Sequence, residues 1–265
     1  MKKISNLAMV ALASAMLFSC QKDKTLSSTT QAISGDVLMQ IKALGFGTSN
    51  VKKHEDGYLV EGDIILTPEI LSRSVNGNLL RVANSEQYST TNLVTGLPKS
   101  ITVSVASNLP SSYVTATDSA IARYNAQSLS VTFSRVASGA SIAITAAPKN
   151  AQYLASAGFP TAAGDPYNKI LVSTRQIGSQ PLNTVTSILA HEMGHCIGFR
   201  HTDYMDRSYS CGGSFANEGA STVGAIPIPG TPTTADPNSW MLACIGSGQN
   251  RPFNANDITA LNFLY

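Results

Sequence analysis

The chain has 265 residues, 43% of them hydrophobic and only 13% charged, with 18 basic against 16 acidic side chains. That length holds one large domain, or a catalytic domain with a smaller companion, and the apolar share supports a buried core. No basic stripe or acidic tail is present, so nothing supports nucleic-acid binding, and Ser, Thr, Ala and Gly supply a polar, weakly charged surface.

Residues 1–19 carry a positive start at Lys2 and Lys3 and an apolar run from Leu7 to Phe18, too short to span a bilayer comfortably. The end of this stretch, Leu17-Phe18-Ser19-Cys20, resembles a bacterial lipobox, which implies lipidation at Cys20 and a mature chain beginning there. The competing readings are an ordinary secretory signal or a buried apolar segment with an incidental cysteine. Without Lys2 and Lys3 the mature chain is nearly neutral. Gln21 to Lys24 looks like a surface-targeting tag, though a charged tether reads almost the same. The expected localisation is export with a lipid anchor in the bacterial outer membrane; surface exposure and release after processing both stay open.

Residues 20–34 are rich in Ser and Thr and read as tether. Asp36 to Phe46 has the apolar spacing of a short helix, ended near Gly45. Val51 to Thr67 is β-rich around Asp56-Gly57, a hairpin signal. From Ser72 to Lys99 the chain turns polar, which places a boundary there: residues 20–95 as tether and propeptide region, 96–265 as catalytic domain. Strands are expected at Ser100–Ala106, Leu129–Val136, Ser141–Ala147 and Lys169–Arg175, with Ala151–Phe159 as an edge strand. Pro110 to about Gln127 is an amphipathic helix with Tyr113, Ala116, Ala120 and Tyr124 on one face. A helix capped by Asn183 runs through HEMGHCIGF, Arg200 to Pro252 has little regular structure, and Asn254 to Tyr265 forms a last helix. The order gives α+β: helices on one twisted, mixed, five-stranded sheet, preceded by a small prodomain-like region.

The chemistry is concentrated in HEMGHCIGFRH, which holds three of the four histidines. Residues four apart share a helix face, so His191 and His195 direct their imidazoles at one point. Glu192 lies about 100° round the helix, suited to act as base on a metal-bound water. Gly198 lets the chain leave the helix through a left-handed turn that returns His201 as a third ligand. Three neutral imidazoles leave a tetrahedral Zn2+ one open position. A closed structural zinc site would need a fourth protein ligand and would not need Glu192.

HExxHxxGxxH with a downstream methionine turn resembles the metzincin zinc endopeptidases. Ser239 to Met241 looks like that turn, with Met241 as the floor beneath the histidines, and HEMGHCIGFRHTD is most similar to the dual-action HEIGH metallopeptidases of bacterial lipoproteins. The resemblance implies an exported peptidase acting on proteins or peptides, with Glu192 as general base and His191, His195 and His201 on zinc. Where astacin-like metzincins carry an extra tyrosine ligand this chain has Ala243, and Thr202 follows the third histidine. Asp203 reads either as a partner orienting a ligand or as a surface residue. Substrate is expected to add to the edge formed by Tyr153, Leu154, Ala155, Ser156, Ala157 and Gly158. Val60 to Leu66 resembles the GDI stretch of astacin propeptides, which makes Asp63 a candidate latency ligand, against a plain Gly-Asp turn. Cleavage near Arg73 or Arg81 would free the catalytic half from its anchor.

In an oxidising compartment one disulfide fits three remaining cysteines, with Cys211–Cys244 preferred, Cys196 free and the other pairings open. Two rival functions remain. One is a catalytically silent surface lipoprotein whose groove binds peptides or glycoproteins; the other is a zinc hydrolase of non-peptide amides or esters. Scattered acids such as Asp165 and Glu218 form no calcium loop.

Overall fold

Ser34 starts the first helix because its hydroxyl accepts the Val37 N–H, while Asp36 sits where the helix dipole favours an acid. This helix, α1 (Gly35–Ala43), leads to three short strands, β1 (Lys52–His54), β2 (Gly57–Val60) and β3 (Ile64–Leu66), and a one-turn helix α2 (Pro68–Leu71). The structure is a computed structural model that describes residues 32–44, 46–72, 87–215, 225–232 and 234–265. The signal segment 1–19, Cys20, Gly45, Arg73, Arg81 and Glu218 lie outside the described residues. Residues 33–265 form one unit.

The chain continues through β4 (Tyr88–Ser89), β5 (Lys99–Val105), α3 (Ser111–Asn125), β6 (Val131–Arg135), β7 (Ile142–Ala146), β8 (Ala155–Gly158) and β9 (Lys169–Val172). It closes with α4 (Thr174–Ile177), α5 (Leu182–Cys196), β10 (Phe199–Arg200), α6 (Ser208–Cys211), β11 (Ile226–Pro227) and α7 (Ala255–Leu264). The main sheet has eight strands in the order β1-β2-β3-β8-β9-β7-β5-β6. Its five strands from the catalytic region are those expected; β5, β6, β7 and β9 run parallel and β8 turns antiparallel to β9. The other three come from the N-terminal hairpin, because β3 pairs in parallel with β8, Ile64 opposite Ala157 and Ile65 opposite Gly158.

Two expectations change here. The strand expected over Ala151–Phe159 is ordered as β only at Ala155–Gly158, with Tyr153 and Leu154 before it, and β3 occupies its outer side. The zinc-motif helix begins at Leu182 behind Pro181, so Asn183 is inside the first turn; its carbonyl accepts from the Ser187 hydroxyl. The Tyr113–Ala116–Ala120–Tyr124 face of α3 is buried, and it joins Ile101, Val103, Ile142, Ile144 and Ile170 of the sheet and Leu189 and Met193 of α5 in one core. Around the N-terminal hairpin a second core gathers Ile41, Phe46, Val60, Ile64, Leu66 and Phe159.

Among the described residues between α6 and α7, covalent and polar ties hold the chain more than regular structure does. Cys211 and Cys244 are joined with Cα atoms 5.0 Å apart, and Cys196 is free and buried within α5. Asp203 is buried, accepting from the Ser210 hydroxyl and from the Ala243 N–H at 2.9 Å, so it ties the same two segments together. A disulfide closing a loop of this length, with 33 residues of separation, contributes about 3–4 kcal/mol by chain entropy. Replacing both cysteines by serine is expected to lower the urea midpoint accordingly. An unchanged midpoint would mean that Asp203 and its partners alone hold the loop.

Candidate metal centre

Helix α5 brings His191 and His195 one turn apart on a shared face, and the residues after it bring back His201. Gly198 makes that return: its φ is +107°, and a Cβ there would lie 2.7 Å from the Asn92 carbonyl oxygen. His195 Nδ1 lies 2.8 Å from the Phe199 carbonyl oxygen and His191 Nδ1 lies 2.9 Å from that of Trp240. Each carbonyl selects the tautomer with the proton on Nδ1 and leaves the Nε2 lone pair directed away. His195 and His201 are fully buried, His191 and Glu192 nearly so.

The Nε2 atoms of His195 and His201 stand 3.3 Å apart, and Asp63 Oδ2 stands 3.2 Å from His201 Nε2 and 3.5 Å from His191 Nε2. Ligand atoms about 2.0–2.1 Å from a tetrahedral zinc are about 3.3–3.4 Å from one another, so these separations are those of a zinc tetrahedron's edges. Asp63, His191, His195 and His201 offer ligand atoms all within 4.8 Å of each other. His191 Nε2, Asp63 Oδ1 and Glu192 Oε2 are buried without a hydrogen-bond partner. The donor set therefore fits zinc, which His191, His195, His201 and Asp63 would hold.

Electrostatics agree. Burial pushes His195 well down, keeping it neutral as a ligand must be. Burial would also lower His201, but the Asp63 and Glu61 carboxylates outweigh it and raise it well above the usual range. The Asp63 carboxyl, which burial alone would raise, is held far below its ordinary range by His201 and His191. Two carboxylates thus demand positive charge at this point, and a proton on His201 or a metal ion supplies it. Burial, reinforced by Asp63, pushes the Glu192 carboxyl well up.

The family profile described as dual-action HEIGH metallo-peptidase matches residues 58–265. The chain belongs to this family. It is a zinc metallopeptidase of metzincin type, and its motif carries Met193 where the family name spells isoleucine. No curated protein sequence matches. Two solved structures of myroilysin resemble the fold at 14% identity. One covers 65% of this chain and 82% of its own with a TM-score of 0.40, the other 63% and 83% with 0.39.

In this HEIGH-family member the methionine turn packs directly beneath the helix. A Cβ on Gly194 would sit 2.7 Å from Met241 Sδ and 3.2 Å from Trp240 Nε1, so glycine between Met193 and His195 admits the turn. The Met241 carbonyl accepts from Thr202 N at 3.0 Å, which fixes the residue after His201. Asp257 on α7 supports the turn from below, taking Ser239 Oγ and Gln87 Nε2 on one oxygen and the N–H groups of Trp240 and Asn254 on the other. Asp257, Gln87 and Gly194 were not singled out from sequence. The capping-box pattern at Asn254 and Asp257 was legible there, but its second task of holding the turn was not. Ala243, in the position of the astacin tyrosine, spends its N–H on Asp203. The fourth histidine, His54, accepts from the Asp56 N–H in the β1–β2 turn, and it is not among the cluster residues.

Asp63 arrives on the turn between β2 and β3, and Glu61 comes with it. Glu61 is buried, has φ 54°, and forms an ion pair with fully buried Arg200, whose guanidinium lies 4.2 Å from the Phe46 ring centroid. A positive φ at a non-glycine residue costs on the order of 1 kcal/mol, which this ion pair helps offset. Beside His191 and Glu192 lies a cavity of about 270 Å³, lined in part by Gly62, Tyr153, Ile188 and Leu242.

Gly194→Ala separates helix propensity from packing. Propensity alone would favour alanine by about 1 kcal/mol, whereas overpacking against Met241 costs about 1–3 kcal/mol. The expected result is a lower melting temperature and weaker zinc retention; a higher melting temperature would contradict the packing argument.

Proposed function

We propose that this zinc metallopeptidase is an exported endopeptidase made as a latent precursor, with His191, His195 and His201 as its zinc ligands and Glu192 as its general base. The observation that carries the reading is the convergence of the Nε2 atoms of three buried imidazoles beside an unpartnered Glu192 oxygen at the mouth of a cavity. Zinc, when bound, supplies the Lewis acid that polarises the scissile carbonyl and acidifies water. Glu192 takes a proton from the attacking water at its carboxylate and returns it to the leaving amine nitrogen. The Trp240 and Phe199 carbonyls hold His191 and His195 in the ligand tautomer, and Met241 supports them through Gly194.

Latency is assigned to the N-terminal segment for two reasons. Asp63 stands where a fourth ligand would, and β3 covers the strand to which substrate would add, so substrate and segment compete for one edge. A cut between Ser72 and Gln87, near Arg73 or Arg81, would separate the segment from the catalytic region. Gln87 would stay behind, since its buried amide donates to Ser239 at 3.1 Å and to Asp257 at 2.6 Å. Residues 1–19 would act as a lipoprotein signal and Cys20 as the lipidated residue, so the same cut would free the enzyme from the outer membrane. The full set of His191, Glu192, His195 and His201 disfavours the silent-binder alternative.

Glu192→Gln, compared with the parent after limited proteolysis, is expected to keep stoichiometric zinc while cleavage of a denatured protein falls about 10²–10⁴-fold. Cleavage at the original rate would remove Glu192 from the mechanism. Asp63→Ala is expected to bring the uncut chain towards the activity of the chain cut by limited proteolysis; an Asp63→Ala chain as silent as the parent would remove Asp63 as the latency ligand.

A further inference from the structure

The cavity beside His191 and Glu192, about 270 Å³, suits one side chain rather than a drug-sized ligand, for which pockets run roughly 300–1,000 Å³. Leu154, Ile188, Trp240, Leu242 and Ile245 give it apolar walls. Two arginines also line it. Arg207 lies against Gly62 of the N-terminal segment, whereas Arg251 belongs to the strap that follows Met241.

Arg251 is held in register with the zinc-motif helix. Its N–H donates to Ser187 Oγ at 2.9 Å, and Ser187 precedes His191 by four residues, one turn along the same face. Its carbonyl accepts from Arg123 Nη1 at 3.0 Å. The guanidinium donates to the Cys244 carbonyl at 2.6 Å and to Gln249 Oε1 at 3.3 Å, both neutral acceptors, leaving further donors of the fork uncommitted. Among the described residues no carboxylate reaches it within ion-pair distance; Asp203 and Asp257 act only from further away. Burial pushes the group down from its ordinary value, the mark of a cation removed from much of its water. Three carboxylates also line the cavity, Glu61 and Asp63 of the N-terminal segment and Glu192 of the zinc motif, but none forms an ion pair with Arg251. A half-buried guanidinium without a counter-charge of its own is, once that segment has left, best satisfied by a planar anion binding its fork.

We propose that Arg251 makes this cavity selective for a carboxylate, carried either by an aspartate or glutamate side chain next to the scissile bond or by the C-terminus of a short substrate. The apolar walls take the methylene stem and Arg251 takes the head group. The proposal rests on the peptidase reading above and names its substrate class.

The test uses the full chain after limited proteolysis. Fluorogenic peptides differ only in the residue after the scissile bond, Glu, Gln, Leu or Lys, each with a free or an amidated C-terminus. The zinc-free chain is also titrated with product peptides bearing N-terminal Glu or Gln. Charge-assisted bonding predicts kcat/KM about 10–100-fold higher for Glu than for Gln, and tighter binding of the Glu product without zinc. Arg251→Leu is expected to erase both differences and Arg251→Lys to keep part of them. A dependence on the free C-terminus instead assigns the carboxylate to the end of the substrate. Equal rates for Glu and Gln at both kinds of terminus overturn the proposal, as does a Glu preference that survives Arg251→Leu. If the leucine variant does not fold, the parent and Arg251→Lys comparisons decide. Absence of cleavage for every peptide with zinc bound would remove the peptidase reading, and this assignment with it.

Discussion

Two imidazole lone pairs 3.3 Å apart in a dry interior repel each other unless a cation lies between them. Much of the catalytic region can be read as the apparatus that enforces this approach. Carbonyls of Trp240 and Phe199 turn the Nδ1–H groups of His191 and His195 outward, Gly198 folds the chain back, and the Met241 carbonyl holds Thr202. The turn that supplies two of these carbonyls is itself carried by Asp257, whose carboxylate serves four donors from three parts of the chain. A buried carboxylate that satisfies so many donors is costly to replace, since each orphaned donor costs about 1–3 kcal/mol. The metal centre is therefore coupled to α7, far along the sequence, through a continuous set of hydrogen bonds.

The N-terminal segment uses the same electrostatic demand. A site built to hold a dication also attracts carboxylates, and the β2–β3 turn brings two of them. Withdrawing Glu61 would break its buried ion pair with Arg200, and breaking such a pair costs about 3–5 kcal/mol. Strand pairing between β3 and β8 adds backbone hydrogen bonds to that cost. If the segment confers latency as proposed, the blocked state is stable by itself, and opening it calls for a cut between the segment and the rest of the chain rather than for a passing fluctuation.

The zinc motif and its three-residue returns were legible because helical periodicity and one glycine determine where His191, His195 and His201 point. The five strands and the buried face of α3 were legible for the same reason: their period matches a half-buried surface. What could not be read was any partnership across long separations. Nothing local to Val60–Leu66 says that this hairpin will extend the sheet at β8, because strand pairing across nearly a hundred residues leaves no local pattern. Nothing local to Arg251 places it in the cavity; that depends on Ser187 and Arg123, which lie on two different helices. Two-residue strands such as β4, β10 and β11 are products of tertiary packing and carry no propensity signal of their own.

The central claim is that one point in the structure is both the zinc site and the place where the N-terminal segment blocks it. Anomalous diffraction at the zinc edge, from crystals of the uncut full chain, tests this directly. The account predicts a single zinc peak about 2.0–2.2 Å from the Nε2 atoms of His191, His195 and His201, with an Asp63 oxygen as the fourth ligand. A zinc bound by the three histidines with Asp63 withdrawn and the cavity open would contradict the blocked state, and a zinc bound elsewhere would contradict the site itself.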